Sequence, residues 1–189
     1  MTMSSSKEIN EIFSSGFCLE IGCGAHKTEG FIGLDQKATL AVDIVANLES
    51  KLPFRDESFD AIVANQVVEH IQNFTQLMAE MHRVLKHNGT LIMHVPYFRS
   101  SWSAIDPTHV RSFTLLTVDY WLIDSWLFKN YKFDECAFSK IEKLLDVDYP
   151  KNPIRWVLSK IALRFPQMYE NSFLSFVFPF QQLTFVCTK

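Results

Sequence analysis

The stretch Leu19-Glu20-Ile21-Gly22-Cys23-Gly24 places a glycine pair directly after a short apolar run. A run of this kind is typical of a buried strand, and glycines that follow it let the backbone approach a ligand closely because they lack a Cβ atom. Eleven residues beyond Gly24, Asp35 ends the next apolar run, and its carboxylate oxygens suit the two hydroxyls of a ribose. A glycine pair is also typical of an ordinary tight turn. The stretch therefore predicts a strand and a nucleotide site without identifying the nucleotide.

Short apolar runs recur along the chain and are bounded by turn-forming residues, which is typical of buried strands. They cover residues 17–21, 31–34, 42–46, 61–64, 90–95 and 183–187. Between the fourth and fifth runs, apolar residues recur at helical spacing from Phe74 to Leu85, with Asn73 placed to cap the start and Asn88-Gly89 to end the helix. Strand, helix and strand in this order predict a parallel crossover and the α/β class. Further helices are predicted over residues 115–128, opened by Thr114, and 154–165.

The composition is that of one globular domain. A chain of 189 residues with 48% apolar residues is not disordered, and a net charge of −3 argues against a nucleic-acid partner. The four cysteines lack paired ligand spacing, so we expect reduced thiols in the cytoplasm. No apolar stretch reaches the roughly 18 residues that span a bilayer, and the polar N-terminus is not a signal peptide, so we expect no stable membrane insertion.

Five blocks of the sequence resemble, in order, those of class I S-adenosylmethionine-dependent methyltransferases. The blocks are Glu20–Gly24, Asp35, Leu52–Asp60, Glu69-His70 and Arg83–Gly89. The resemblance implies a Rossmann-like, mostly parallel seven-stranded sheet whose last strand is antiparallel. Only residues 25–30 separate the glycine loop from the second strand, so the helices beside the first strands must be shortened.

The same resemblance implies a single methyltransferase domain over residues 1–189. We expect an N-terminal segment (1–16) that packs across the shortened edge through Ile9, Ile12 and Phe13, a cofactor-binding half (17–98) and a substrate-side half (99–189).

The resemblance also implies S-adenosylmethionine as the cofactor, bound at the carboxyl ends of the first strands. Gly22 and Gly24 would lie against its methionine portion, Glu20 would hold its ammonium group, and Asp35 would bind its ribose.

Two asparagines extend this expected cofactor site. The backbone of Asn65 would meet the methionine end, and Asn47 falls near the place where the family contacts the adenine amino group. Turn chemistry explains Asn47 equally well.

Two histidines are candidates for the base that a hydroxyl acceptor would need. His109 lies in a polar loop, where Asp106 is close enough in sequence to pair with it and raise its basicity. We favour His109 over His70; the alternatives are that His109 only ties down its loop and that His70 only packs and caps. Some relatives bind a divalent metal through Glu-x-x-Glu-His here, but Gln66 replaces the first glutamate and an amide is a poorer ligand for a hard cation. We therefore expect no metal site.

Four residues after the fifth strand would line the mouth of the acceptor site. The aromatic rings of Tyr97, Phe98 and Trp102 could stack on a sugar or planar acceptor, and Arg111 could meet a carboxylate or phosphate. Methyltransferases of exocyclic base amines carry Asp/Asn-Pro-Pro-aromatic after the fourth strand, where residues 65–68 read Asn-Gln-Val-Val. The sequence thus argues against DNA or RNA as the acceptor.

The sequence therefore predicts a methyltransferase that acts on a hydroxyl or amine of a small molecule or a glycan precursor. Two alternatives stay open: a cofactor-binding protein without transferase activity, and a nicotinamide-dependent oxidoreductase. The absence of a third glycine after the first strand counts against the latter.

Overall fold

The computed structural model describes residue 13 and residues 16–132, 135–146 and 153–189. Its strands are β1 (Cys18–Ile21), β2 (Ile32–Asp35), β3 (Ile44–Val45), β4 (Phe59–Asn65), β5 (Leu85–Pro96), β6 (Lys140–Leu145) and β7 (Gln182–Thr188). They form one seven-stranded sheet in the order β3-β2-β1-β4-β5-β7-β6. β1 to β5 pair in parallel, and β7 runs antiparallel to both β5 and β6. The predicted α/β class and the antiparallel last strand are confirmed.

The helices are α1 (Phe74–Val84), α2 (Ser101–Ile105), α3 (Trp126–Tyr131), α4 (Pro153–Arg164), α5 (Pro166–Glu170) and α6 (Leu174–Val177). Two 3₁₀ turns lie at Val68–His70 and Thr117–Trp121. Turns, not helices, join β1 to β2 and β2 to β3, so the predicted shortening of this edge is confirmed.

Helix α1 forms where the apolar spacing predicted it. The Asn73 side chain accepts a hydrogen bond from the Gln76 amide at 3.3 Å and caps the start, and the buried face carries five apolar side chains. The helix ends at Val84, before the expected Asn88-Gly89 stop, because Leu85 is already extended and pairs with Phe59 in the sheet. The predicted end was therefore one turn too late.

The helix predicted over residues 115–128 is wrong. Leu122 is extended (φ −87°, ψ 116°) and forms a bridge with Phe138, which separates a 3₁₀ turn from α3. Ser125 then caps α3 by accepting a hydrogen bond from the Phe128 amide at 3.0 Å. Thr114 does not open an α-helix; its hydroxyl accepts from the Leu116 amide at 3.3 Å in the loop before the turn. The helix predicted over 154–165 is confirmed as α4.

The main core lies along the sheet, where α1 and the 3₁₀ turn at Thr117–Trp121 pack. Its fully buried side chains include Leu19, Ile62, Met78, Leu91 and Phe185. All four cysteines are buried. In the described part of the chain, no helix is long and apolar enough to cross a bilayer.

The N-terminal segment was expected to pack across the shortened edge. Phe13 packs edge-on against Phe31, with ring centroids 5.1 Å apart. Ile9 and Ile12 lie outside the described residues. The position of Phe13 agrees with the expected packing.

Candidate active site

The turn after β1 carries the predicted glycine pair in a left-handed backbone conformation. Gly22 has φ +64° and Gly24 has φ +58°, a region that other residues rarely adopt. A Cβ atom at Gly22 would lie 2.3 Å from Cγ2 of Val67, whereas one at Gly24 would meet nothing within 4 Å. Gly22 is therefore needed for close packing, while the backbone at Gly24 borders open space at the carboxyl edge of the sheet.

Asp35, at the end of β2, is tied to this turn. Its Oδ2 accepts a hydrogen bond from the Gly24 amide at 2.9 Å, and its Oδ1 accepts one from the Lys37 amide at 2.9 Å. A carboxylate offers about four lone-pair positions, so Asp35 keeps capacity for ligand hydroxyls after both contacts are made. The structure thus brings Gly24 and Asp35 together at one edge of the sheet, and ribose binding by Asp35 stays a prediction.

Glu20 and Asn65 line a second part of this edge. Glu20 is buried, and its Oε2 accepts a hydrogen bond from the Thr28 amide at 2.7 Å. Glu20 and Asn65 share a cavity of about 210 Å³, with Phe13 and Val63 in its wall. A buried carboxylate beside the end of β4 suits a ligand ammonium group.

Asn47 lies in the turn after β3. Its Oδ1 accepts a hydrogen bond from the Glu49 amide at 2.9 Å, which is the contact of an Asx turn. The turn alternative therefore describes its geometry, and the adenine contact stays a prediction.

A larger cavity, about 530 Å³ in volume, opens beyond the end of β4. Its lining residues are Gln66, Glu69, His70, Pro96, Trp102, Ile105, Asp106, His109, Gln181 and Gln182. Gln66 follows Asn65 directly in the chain, although the two residues line different cavities. Gln66 holds φ +52°, which is unusual for a residue other than glycine, and its amide donates to the His94 carbonyl at 2.9 Å.

Three predicted catalytic residues meet in this cavity, but with partners that the sequence did not predict. Asp106 does not orient His109; its Oδ1 accepts from the Thr108 amide at 2.8 Å and from the Thr108 hydroxyl at 2.6 Å. The Thr108 Oγ1 in turn lies 2.8 Å from Nδ1 of His70. These contacts with Thr108 hold the pKa of Asp106 below its usual value. Asp106 is therefore placed to act on His70 through Thr108.

The imidazole of His109 lies near two groups other than Asp106. Its Nδ1 lies 3.3 Å from the Ser103 carbonyl oxygen, and its Nε2 lies 3.9 Å from Oε1 of Glu69. The His70 and His109 rings are in edge contact, with centroids 4.7 Å apart. The two histidines therefore form one cluster.

Glu69 belongs to this cluster, although sequence reasoning did not select it as a site residue. It is 1% exposed, and among the described residues neither carboxylate oxygen has a hydrogen-bond partner. Burial raises the pKa of its carboxyl group. The available signal was a carboxylate set inside the apolar run from Val67 to Ile71.

Only one of the four predicted acceptor contacts lies in the larger cavity. Trp102 lines it and is 62% exposed. Tyr97 is instead part of the core, where its hydroxyl donates to Glu170 at 3.2 Å, because the end of β5 turns this side chain inward. Phe98 is half-buried under the guanidinium of Arg99, 4.6 Å from its ring centroid, outside the cavity lining.

Arg111 also differs from its expected position. Its guanidinium donates to the Ile71 carbonyl at 2.6 Å and to the Gln72 carbonyl at 2.7 Å. It therefore holds the segment between the 3₁₀ turn and α1, because these two carbonyls attract it away from the mouth of the cavity.

Two further histidines, His82 and His94, make contacts within the body of the protein. Nε2 of His82 lies 3.1 Å from the Ala137 carbonyl oxygen, and Nδ1 of His94 lies 2.8 Å from the Thr184 hydroxyl. Burial lowers the pKa of His94.

Comparison with known proteins finds related sequences over part of the chain. A family model described as "Methyltransferase domain" matches residues 23–93. A probable S-adenosylmethionine-dependent methyltransferase of Mycolicibacterium smegmatis is 35% identical over 114 residues, which are 49% of this chain and 44% of that protein. The chain thus spans less than half the length of that curated relative.

Solved structures share the fold. A methyltransferase dependent on S-adenosylmethionine from Archaeoglobus fulgidus superimposes with a TM-score of 0.59 at 15% identity, over 98% of this chain and 92% of that one. Phosphoethanolamine N-methyltransferase 2 of Haemonchus contortus, in complex with S-adenosyl-L-methionine, gives a TM-score of 0.58 at 14% identity, over 99% of this chain and 52% of that one. The sequence matches favour S-adenosylmethionine over a nicotinamide cofactor, and these structures show the shared fold. Residues 23–93 thus match a methyltransferase domain, and the chain has the fold of solved S-adenosylmethionine-dependent methyltransferases.

Proposed function

We propose that this protein transfers a methyl group from S-adenosylmethionine to a hydroxyl or amine of a small molecule or a glycan precursor. The observation that carries the proposal is the end of β4, where two consecutive residues line two cavities: Asn65 lines the cavity of Glu20, and Gln66 lines the larger cavity. A donor held along the first strands and an acceptor in the larger cavity would then both lie beside the end of β4.

The reaction is an in-line displacement at carbon. The acceptor oxygen or nitrogen forms a bond to the methyl carbon as the bond from that carbon to the sulfonium sulfur breaks, and S-adenosylhomocysteine leaves. The protein's main contribution is to align the two molecules and exclude water. Gly24 and Asp35 would hold the donor from one side, with Glu20 on its ammonium group, so the sulfonium is presented toward the end of β4.

A hydroxyl acceptor must also lose its proton, and the histidine cluster supports that step. Thr108 holds His70 through Nδ1, which leaves Nε2 as the nitrogen that can receive a proton. His109 is held in the same way by Ser103. We keep both histidines as catalytic residues of this proposal, with Asp106 as a positioning residue that acts through Thr108.

The lining of the larger cavity favours a hydroxyl-rich acceptor. The amides of Gln66, Gln181 and Gln182 offer both donors and acceptors to hydroxyl groups, and Trp102 offers a ring face. Sugars and other polyols present such groups beside an apolar ring or carbon face. This lining supports a glycan precursor over a purely apolar acceptor.

The experiment has two parts. Calorimetric titration of the full chain with S-adenosylmethionine, S-adenosylhomocysteine and NADH should show binding of the first two only. Release of S-adenosylhomocysteine is then measured across a panel of nucleotide sugars, free sugars, phenols and amines. Binding without turnover on any acceptor would favour the non-catalytic alternative, and binding of NADH alone would overturn the proposal.

A further inference from the structure

Glu69, His70 and His109 form a cluster, and the proposed methyl transfer gives the buried carboxylate of Glu69 no role. Each offers one ligand atom, and these three atoms all lie within 4.8 Å of one another. Glu69 and His70 come from the 3₁₀ turn after β4, and His109 comes from the loop after α2. All three line the 530 Å³ cavity.

The hydrogen bonds of His109 fix which of its nitrogens is available. A carbonyl oxygen only accepts, so the Nδ1 atom near the Ser103 carbonyl carries the hydrogen. In the neutral imidazole, Nε2 then presents a lone pair, and this atom faces Oε1 of Glu69 at 3.9 Å. Two acceptors thus face each other.

His70 is fixed in the same sense by a chain of two hydrogen bonds. The hydroxyl hydrogen of Thr108 is committed to Oδ1 of Asp106, which lies 2.6 Å away and can only accept when ionised. The Thr108 oxygen therefore accepts from Nδ1 of His70, at 2.8 Å. The Nε2 of His70 is left with its lone pair.

Glu69 completes a set of three acceptors without a donor. It is 1% exposed, and both of its carboxylate oxygens are buried with no hydrogen-bond partner among the described residues. A buried carboxylate in this state is unfavourable unless a positive charge lies beside it. Among the described residues, no lysine or arginine nitrogen forms an ion pair with the Glu69 carboxylate.

We propose that a divalent transition-metal ion binds at this cluster, held by the Glu69 carboxylate, Nε2 of His70 and Nε2 of His109. Two imidazoles with one carboxylate suit Zn²⁺ or Mn²⁺ better than Mg²⁺ or Ca²⁺, which prefer all-oxygen sites. Ligand atoms ~2.1 Å from such an ion stand ~3.4 Å apart in a tetrahedral site, so side-chain movements of about 1 Å close the cluster.

This proposal differs from the expectation of no metal that was drawn from Gln66. That expectation considered only residues close together in sequence, whereas the structure supplies His109 from a separate loop. The supports of the two histidines, the Ser103 carbonyl and the Thr108-Asp106 pair, are the outer contacts that ordinarily orient metal-binding imidazoles.

The remaining coordination positions of the ion would face the cavity. There the ion would bind the oxygen of a hydroxyl acceptor and favour loss of its proton to water, because the two Nε2 atoms that hold the ion could no longer accept that proton. The support for the site does not depend on the proposed methyl transfer, because it consists of contacts within the protein and the site is tested by metal binding alone.

The test uses the full chain after treatment with a chelator. Separate calorimetric titrations with ZnCl₂, MnCl₂, MgCl₂ and CaCl₂ should show one site that binds Zn²⁺ or Mn²⁺ at least ~10-fold more tightly than Mg²⁺ or Ca²⁺. Co²⁺ should bind at the same site and give visible absorption that Zn²⁺ displaces. No saturable binding of any of these ions, or equal binding of all four, would overturn the proposal; the first result would mean that a proton shared between Glu69 and His109 satisfies the cluster.

Variants locate the site. Glu69→Gln and His109→Ala should each weaken binding more than ~100-fold, and Thr108→Val should weaken it ~10-fold, since it removes only the support of His70. His87→Asn and Asp124→Asn remove an exposed imidazole and an exposed carboxylate elsewhere and should bind as the wild type. Wild-type affinity in the Glu69 and His109 variants would overturn the proposal. If either fails to fold, as judged by circular dichroism, Thr108→Val decides.

The same preparations separate this proposal from the proposed function. Calorimetric affinity for S-adenosylmethionine should stay within about threefold in Thr108→Val, because Thr108 is remote from the Gly24–Asp35 contact. Loss of metal binding with retained cofactor binding would support the metal site whatever the acceptor is.

Discussion

Gly22 and Gly24 have nearly the same backbone conformation but different surroundings, and this difference separates packing from ligand access. Gly22 lies under the side chain of Val67, which belongs to the turn before the histidine cluster, whereas Gly24 borders open space. The first glycine thus couples the cofactor turn to the end of β4, and the second leaves room for a ligand.

We expect Gly22→Ala to destabilise the protein more than Gly24→Ala. Both substitutions force an alanine into a left-handed conformation at about 1–2 kcal/mol. Gly22→Ala adds the overlap with Val67, worth about 1–3 kcal/mol. Urea denaturation measures both losses, and Gly22→Ala combined with Val67→Ala should recover part of the difference. Equal losses for the two single variants would contradict this account of the turn.

Asp35→Ala should weaken S-adenosylmethionine binding about 10- to 100-fold. The substitution removes a charged hydrogen-bond acceptor from the Gly24 amide and from the ribose, and one such interaction is worth about 1.5–3 kcal/mol. Calorimetric titration measures the change, with Asp124→Ala as a control for the loss of a carboxylate that is 86% exposed. An unchanged affinity would show that the ribose is not bound at the end of β2.

Among the elements of secondary structure, α1 is joined to the loop before β4 by a charged network. Arg83 donates to Glu80 at 2.7 and 2.9 Å, to the Leu52 carbonyl at 3.2 Å and to the Phe54 carbonyl at 3.0 Å. Glu80 accepts from the Leu52 amide at 2.8 Å. The hydrogen bond from Arg83 lowers the pKa of Glu80 below its ordinary 4.5. The network thus fixes the position of α1 against the sheet.

Because the pKa of Glu80 is lowered by folding, its charge stabilises the protein above pH ~4.5 and this stabilisation is lost as the pH falls through the lowered value. Glu80→Gln should therefore cost about 1–2 kcal/mol at pH 7, and the difference from the wild type should narrow below pH ~4.5. Urea denaturation between pH 3 and 7 (roughly the range of carboxyl titration) measures the difference in free energy of unfolding between the variant and the wild type. Asp56→Asn removes the exposed partner of Arg83 and should have a smaller effect. A difference that widens at low pH would refute the assigned sign.

The central strands were predictable from sequence, whereas the edge strand β6 was not. The runs at β1, β4 and β7 contain more apolar residues than a surface loop does, so these three strands can be predicted from composition alone. β6 was missed because Lys140, Glu142 and Lys143 interrupt its apolar residues, as suits a half-buried edge strand. The helix over 115–128 failed for the opposite reason: its local pattern is helical, but the bridge from Leu122 to Phe138 is a tertiary contact that the pattern does not contain.

At the scale of the whole molecule, the candidate site depends on segments that only the tertiary fold brings together. The glycine turn and Asp35 were predictable because short turns and parallel pairing place them at one edge. The meeting of Glu69 with His109 was not, since it depends on where the loop after α2 folds back over the end of β4. Tyr97 and Arg111 were misplaced for the same reason, because core and carbonyl contacts compete for their side chains.

The 17 phenylalanines have different roles that depend on their place in the whole molecule. Phe185 is fully buried on β7 and is paired with Met93 of β5 on one side and Lys143 of β6 on the other, so it joins the parallel sheet to its last two strands. Phe173 is 77% exposed, just before α6. The side chains of Phe185 and Phe173 therefore contribute differently to the free energy of unfolding.

We expect Phe185→Ala to lower the free energy of unfolding by about 3–5 kcal/mol, because it removes a buried ring and leaves a cavity. For a chain of this length that loss corresponds to a fall in Tm of about 6–20 °C. Phe173→Ala should stay within about 0.5 kcal/mol of the wild type, since its ring is already in water. Thermal denaturation followed by circular dichroism compares the two variants directly. A loss of about 3–5 kcal/mol in both variants would mean that the ring of Phe173 is covered in solution. A loss within about 0.5 kcal/mol in both would mean that Phe185 does not hold β7 in the sheet as its burial indicates.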